Sequence, residues 1–219
     1  SKKGIVYLQS DTDTALYTNN YEHLIIPGDI LKITLKVDNP ESQKMLTPTD
    51  AQGTIYNQSR ESLIFKGIKV DAEGNINYPS VGQINVINST TKDVEKNISS
   101  ILTQKKIFIN PVIDVKVVNM HFTILGEVNN PGRFFYDKEN LNIFEAVGYA
   151  SDLTINGKRD DVKLLRFENN KVVSNTIDLT KGSLIQSDFF QIKSGDVIII
   201  NPNYSRVKDA GIIGNSGTL

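Results

Sequence analysis

The sequence predicts an α+β chain of two small, strand-rich domains, and three observations carry that prediction. Apolar and polar residues alternate over short runs in both halves, the mark of half-buried strands. One stretch near the middle changes to helical period, and a shorter one comes after it. At 219 residues the chain is long for one domain and comfortable for two, and 39% hydrophobic with 22% charged residues lets each bury a core without crosslinks.

In the first half, Ile30 to Val37 alternates strictly, with Leu31, Ile33, Leu35 and Val37 on one side and Lys32, Thr34 and Lys36 on the other. A tight turn at Pro27-Gly28-Asp29 leads into it: proline fixes φ and glycine tolerates positive φ. Asp38 to Ser62, rich in Asn, Pro, Ser, Thr and Gln, reads as an irregular excursion holding at most a short strand at Gly53-Thr54-Ile55-Tyr56. Short strands return from Gly67, with Ile68/Val70, Ile76/Tyr78 and Ile84/Val86 at period two and turns near Gly74-Asn75 and Gly82-Gln83. Between Thr90 and Lys106, Val94, Ile98, Ile101 and Leu102 share one helical face, and Thr90-Thr91-Lys92-Asp93 resembles a capping box. Asn110-Pro111 ends this helix, and Ile113, Val115 and Val117 then alternate as a strand.

The second half opens with Phe122 to Val128 and then Asn129-Asn130-Pro131-Gly132, which predicts a hairpin with a type II turn. Leu141 to Tyr149 reads as a short helix with Ile143, Phe144 and Val147 inward, ending at Gly148 or near Ser151-Asp152. Val162 to Phe167, Val172 to Ile177 and Val197 to Ile200 are β-branched, apolar strands, the last entered through Lys193-Ser194-Gly195-Asp196. That turn echoes Pro27-Gly28-Asp29-Ile30-Leu31, a recurrent way into a strand rather than a repeat.

The formal net charge of −1, with Lys105, Lys106, Lys158 and Arg159 offset by carboxylates such as Asp160 and Asp161, offers no basic face for nucleic acid. The absence of cysteine excludes disulfides, thiolate metal sites and thiol nucleophiles. His23 and His121 stand far apart, in no metal-ligand spacing, and read as surface or interface residues; no metal and no cofactor is expected. No G-x-S-x-G elbow occurs. Asp71/Glu73 and Glu139/Glu145 are formal carboxylate pairs, but Asp71 to Asn75 reads as a turn whose Asp accepts local backbone hydrogen bonds. Asp11-Thr12-Asp13 lacks the rest of a calcium loop, and Gly211, Gly214 and Gly217 do not fit a phosphate-cradle spacing. No signal peptide or membrane-length apolar run is present, and the abrupt ends at Ser1-Lys2-Lys3 and Gly217-Thr218-Leu219 suggest that targeting or anchoring segments have been removed.

Tyr21 to Ile33, then Val70 to Ile84 with Asp71, Gly74, Pro79 and Gly82, then a helix and Asn110-Pro111-Val112, resemble the polysaccharide biosynthesis/export domain. Phe122 to Val128 with Gly126, continuing through Pro131-Gly132 and Leu141 to Ala150, resembles a soluble-ligand-binding β-grasp (SLBB) domain. In this order the two are similar to the Wza-like outer-membrane polysaccharide export proteins. The resemblance implies an N-terminal segment over 1–20 after a lipidated cysteine, an export domain over 21–119, a β-grasp domain over 120–202, and a lead-in over 203–219 to a membrane helix. It implies a structural role for Pro27, Gly28, Asp29, Asp71, Gly74, Pro79, Gly82, Pro111, Gly126, Pro131 and Gly132.

The function implied by the resemblance is that of a non-catalytic periplasmic conduit, a ring of identical subunits on the outer membrane through which capsular or exopolysaccharide passes. Its implied partners are the polymer, an inner-membrane polysaccharide copolymerase and further copies of itself, packed through strand edges and the Thr90–Lys106 helix. The alternative is a monomeric carbohydrate-binding or sensing module with Asn129, Asn130 and Arg133 near the ligand, and a processing enzyme would need a paired-carboxylate cleft.

Overall fold

The computed structural model describes residues 6–8, 21–37, 59–168 and 171–203. The strand expected at Gly53–Tyr56, the Asp11-Thr12-Asp13 segment and the glycine-rich tail lie outside the described residues. The described chain is an α+β fold of mixed sheets and few helices, divided into two compact units: Glu22–Met120, and Ser1–Tyr21 together with His121–Leu219.

In the first unit, β1 (Ile30–Lys36) lies between β2 (Ile68–Lys69) and β5 (Val112–Val117) in an antiparallel sheet. The register sets Leu31 opposite Val117, Ile33 opposite Val115 and Leu35 opposite Ile113, so the alternating apolar residues meet on one face. β3 (Asn75–Tyr78) and β4 (Gly82–Asn85) form a separate hairpin. α1 (Arg60–Lys66) occupies ground that the sequence pattern assigns in part to an irregular excursion. Ser59 caps it by accepting from the Ser62 N–H, and seven residues are too few to display an apolar stripe.

α2 (Thr91–Gln104) is the main helix. Thr90 and Asp93 close a reciprocal capping box, and Val94, Ile98 and Leu102 are buried while Ile101 is only partly so. It stops at Gln104, short of Asn110-Pro111, with Lys106 in the left-handed region at φ 56°. The helix also covers an edge of the sheet: the Glu95 carboxylate accepts from the Val115 N–H at 2.9 Å, and the Ser99 hydroxyl donates to the Pro111 carbonyl at 2.9 Å.

In the second unit, β6 (His121–Gly126), β7 (Gly132–Phe135), β9 (Gly157–Glu168), β10 (Lys171–Ile177) and β12 (Val197–Pro202) form a mixed sheet in the order β10-β9-β12-β6-β7. β12 runs parallel to β6 and antiparallel to β9. The predicted β6–β7 hairpin is present, but its turn is not the type II turn expected: Gly132 is extended at φ 159° and is the first residue of β7, opposite Ile124.

β8 (Leu141–Asn142) pairs with β11 (Gln191–Ile192), and α3 (Ile143–Tyr149) begins directly after it. The helix therefore starts later than the sequence pattern suggests, at a capping box between Asn142 and Glu145, and buries Ile143, Ala146 and Val147 with Phe144 at the margin. Phe122 sits fully buried in this core, stacked on Phe134 at 5.6 Å between ring centroids and edge-on to Tyr149 at 5.8 Å. Residues 6–8 also belong here: the Leu8 N–H donates to the Leu179 carbonyl, and Tyr7 donates its hydroxyl to Asp152 beneath the Arg159 guanidinium. Burial and the Asp152 bond push the Tyr7 phenol up. Among the described residues, no helix is long and apolar enough to cross a membrane.

Candidate functional site

The first unit organises its polar residues around the turn Ile26-Pro27-Gly28-Asp29. The Asp29 N–H donates to the Ile26 carbonyl at 3.1 Å with Gly28 at φ 93°, the geometry of a type II turn. The Asp29 carboxylate, 4% exposed, folds back to accept from the Ile26 N–H at 3.0 Å and bonds His23 Nε2 at 2.7 Å. His23 is 7% exposed, which corrects its reading as a surface or interface residue: the acid six positions on makes its burial tolerable. Asn119 clamps the turn from the far end of the unit, donating to the Gly28 carbonyl at 3.0 Å and accepting from the Ile30 N–H at 2.8 Å.

The remaining motif residues of this unit shape the backbone. Asp71 accepts from the N–H groups of Glu73 at 3.1 Å and Asn75 at 2.7 Å. Gly74 lies at φ 81° with no room for a side chain, since a Cβ there would stand 2.4 Å from the Ile87 Cβ. Pro79 occupies the tip between β3 and β4, closed by the Val81 N–H on the Tyr78 carbonyl, with Gly82 beyond it at φ 96°. Pro111 leads into β5 and offers its carbonyl to Ser99.

Residues 18–118 match the family of polysaccharide biosynthesis/export proteins. This first unit is a polysaccharide biosynthesis/export domain. The match ties this unit to polysaccharide biosynthesis and export.

Beyond the export domain, the second unit builds the same turn again. In Lys193-Ser194-Gly195-Asp196, the Asp196 N–H donates to the Lys193 carbonyl at 3.1 Å, Gly195 lies at φ 89°, and the Asp196 carboxylate accepts from the Lys193 N–H at 2.8 Å. Arg166, 3% exposed, takes the place that His23 holds in the export domain. Its Nε and Nη2 donate to the two Asp196 oxygens at 2.9 and 2.7 Å, and the remaining donors reach the carbonyls of Asp188 at 3.2 Å and Gln191 at 2.6 Å. Burial raises the Asp196 carboxyl above its ordinary value, and the bonds from Arg166 and Lys193 offset that only in part. This pair joins β9 to the turn that precedes β12, so no local pattern announces it.

Of the residues expected near a sugar, Asn129 and Asn130 both bond the Ser151-Asp152 segment. Asn129 Nδ2 donates to the carbonyls of Ser151 at 2.6 Å and Asp152 at 3.3 Å, while Asn130 Nδ2 donates to Ser151 Oγ at 2.7 Å. They hold a left-handed pair just past α3, Ser151 at φ 59° and Asp152 at φ 71°. Arg133 is exposed on β7 opposite Thr123. Gly126 at φ 90° lies so close to β12 that a Cβ would meet the Ile200 carbonyl oxygen at 2.1 Å, and Pro131 is an exposed residue just before Gly132.

One member of each formal carboxylate pair, Asp71 and Glu145, is engaged locally. Glu145 completes the α3 capping box and bonds the Lys138 ammonium; burial opposes its ionisation, but Lys138 and the Asn142 N–H outweigh that and hold the carboxyl below its ordinary value. Among the described residues, no group of three or more His, Asp or Glu is placed to hold a metal ion.

One cleft of about 300 Å³ opens on the second unit, lined by Tyr21, Arg166, Glu168, Asp188, Phe189, Gln191 and Lys193. Arg166 forms its floor and stacks over the Phe189 ring at 5.2 Å, while Lys193 bonds Glu168 at 2.7 Å and lies 5.8 Å from the Tyr21 ring centre. No sequence motif marks these residues, because they come from separate stretches of chain that only the fold brings together.

Proposed function

We propose that the chain is the periplasmic part of an outer-membrane lipoprotein conduit, non-catalytic and ring-forming, through which capsular or exopolysaccharide leaves the cell. The observation that carries this reading is the match of residues 18–118 to the export family, on a unit whose motif residues serve the backbone rather than a reaction. The second unit is read as a β-grasp domain that extends the conduit. A polymer held by many weak, renewable contacts can slide, and tight binding would stall it. Further copies of the chain and an inner-membrane copolymerase are its partners in this reading, with a lipid and a C-terminal membrane helix anchoring it to the outer membrane.

A strain lacking the gene, complemented with the full-length protein, tests the proposal. Loss of polymer at the surface with polymer accumulating inside the envelope is the expected result. Unchanged surface polymer overturns it, and shortened or chemically altered polymer points to processing instead. A second reading, a monomeric carbohydrate-binding module, draws support from the polar, aromatic cleft of the second unit.

A further inference from the structure

We propose that the cleft between Tyr21, Glu168, Asp188, Phe189, Gln191 and Lys193 is a saccharide subsite for a sugar ring bearing hydroxyl or amino groups and no acid group. It rests on the export reading only for the source of the sugar. Its volume of about 300 Å³ stands at the lower limit of ligand sites, room for a short stretch of a chain.

Three features argue for this ligand class. Two aromatic rings, Tyr21 and Phe189, line a space otherwise bounded by carboxylates, an ammonium and a carboxamide. Sugars present that same alternation, C–H faces that pack on rings and hydroxyl edges that need donors and acceptors. The site is also built in advance. The guanidinium of Arg166 holds the Asp188 and Gln191 carbonyls and packs on Phe189, so the wall from residue 188 to 191 is fixed to β9. Finally, the charges select: two cations, Arg166 and Lys193, face three carboxylates, Glu168, Asp188 and Asp196, which leaves an excess of one negative charge. An acidic sugar is repelled there, and an ammonium is favoured.

The experiment is titration of the isotopically labelled chain with tetrasaccharide probes of neutral glucose, glucosamine and galacturonate, monitored through amide chemical shifts. Glucosamine and glucose should perturb the amides of residues 166–168 and 188–193 with weak, about millimolar affinity, and galacturonate should not. Asp188→Asn and Tyr21→Leu should each weaken the glucosamine complex about fivefold or more at an unchanged melting temperature. No perturbation of those amides by any probe, tighter binding of galacturonate, or unchanged affinity in both variants overturns the assignment. If the probes bind while deletion leaves surface polymer intact, the export reading fails and the subsite stands. If deletion abolishes surface polymer and the amides stay silent, the reverse holds.

Discussion

A single acid governs each unit, and the two acids predict different penalties. Removing the side chain in Asp29→Ala leaves the buried His23 Nε2 and the Ile26 N–H without their acceptor, which should cost about 2 kcal/mol in urea unfolding. Asp196→Ala should cost more, about 3–5 kcal/mol, because it strands a guanidinium that is 3% exposed. Replacing both partners, Arg166→Met with Asp196→Leu, should recover part of that loss, since the lone charge rather than the missing bond dominates. Glycines divide in the same way. Gly28→Ala meets open space and carries only the strain of positive φ, about 1–2 kcal/mol, whereas Gly126→Ala drives a methyl into the Ile200 carbonyl and should leave the second unit unfolded by circular dichroism.

Helix caps bring acid sensitivity to the scale of elements. The Thr90 hydroxyl, then its N–H, holds the Asp93 carboxyl below its ordinary value; Lys138 and Asn142 do so for Glu145 against burial, and Lys193 does so for Glu168. A carboxyl lowered by folding adds stability above its unfolded value, about 4, and that contribution disappears as pH falls through the folded one. Asp196 acts in the opposite sense: its raised value favours the folded form at low pH and offsets part of the loss. Melting temperature should therefore fall from pH 6 to pH 3, and Thr90→Ala, itself costing about 1 kcal/mol, should flatten that fall. Elements with a period were legible in the sequence: β1, α2, β10 and β12 lie close to where alternation or the helical face places them. The start of β9 was not: the apolar pattern begins that strand only at Val162, because Lys158, Arg159, Asp160 and Asp161 offer no apolar alternation although Arg159 is buried there against Tyr7 and Asp152. Pro131-Gly132 misled for a related reason: composition marks a bend but pairing with Ile124 decides the backbone. The cleft was illegible because its walls are joined by the side chains of Arg166 and Lys193, whose partners lie in other strands and loops.

For the whole molecule, surface polymer in the deletion strain is the decisive readout, since the ring formation and transport proposed for it would belong to the assembled envelope rather than to either unit. The second unit carries one more consequence, for how it is made. Its central strand, β12, is the last in sequence of the five and joins β9 to β6. Until residues 197–202 have emerged, the β6–β7 and β9–β10 hairpins can form locally but share no partner. A chain halted at residue 190 during synthesis or translocation should remain open to protease across both hairpins, and one extended past residue 203 should close. The unit thus stays in a threadable, unlocked state until its last strand arrives.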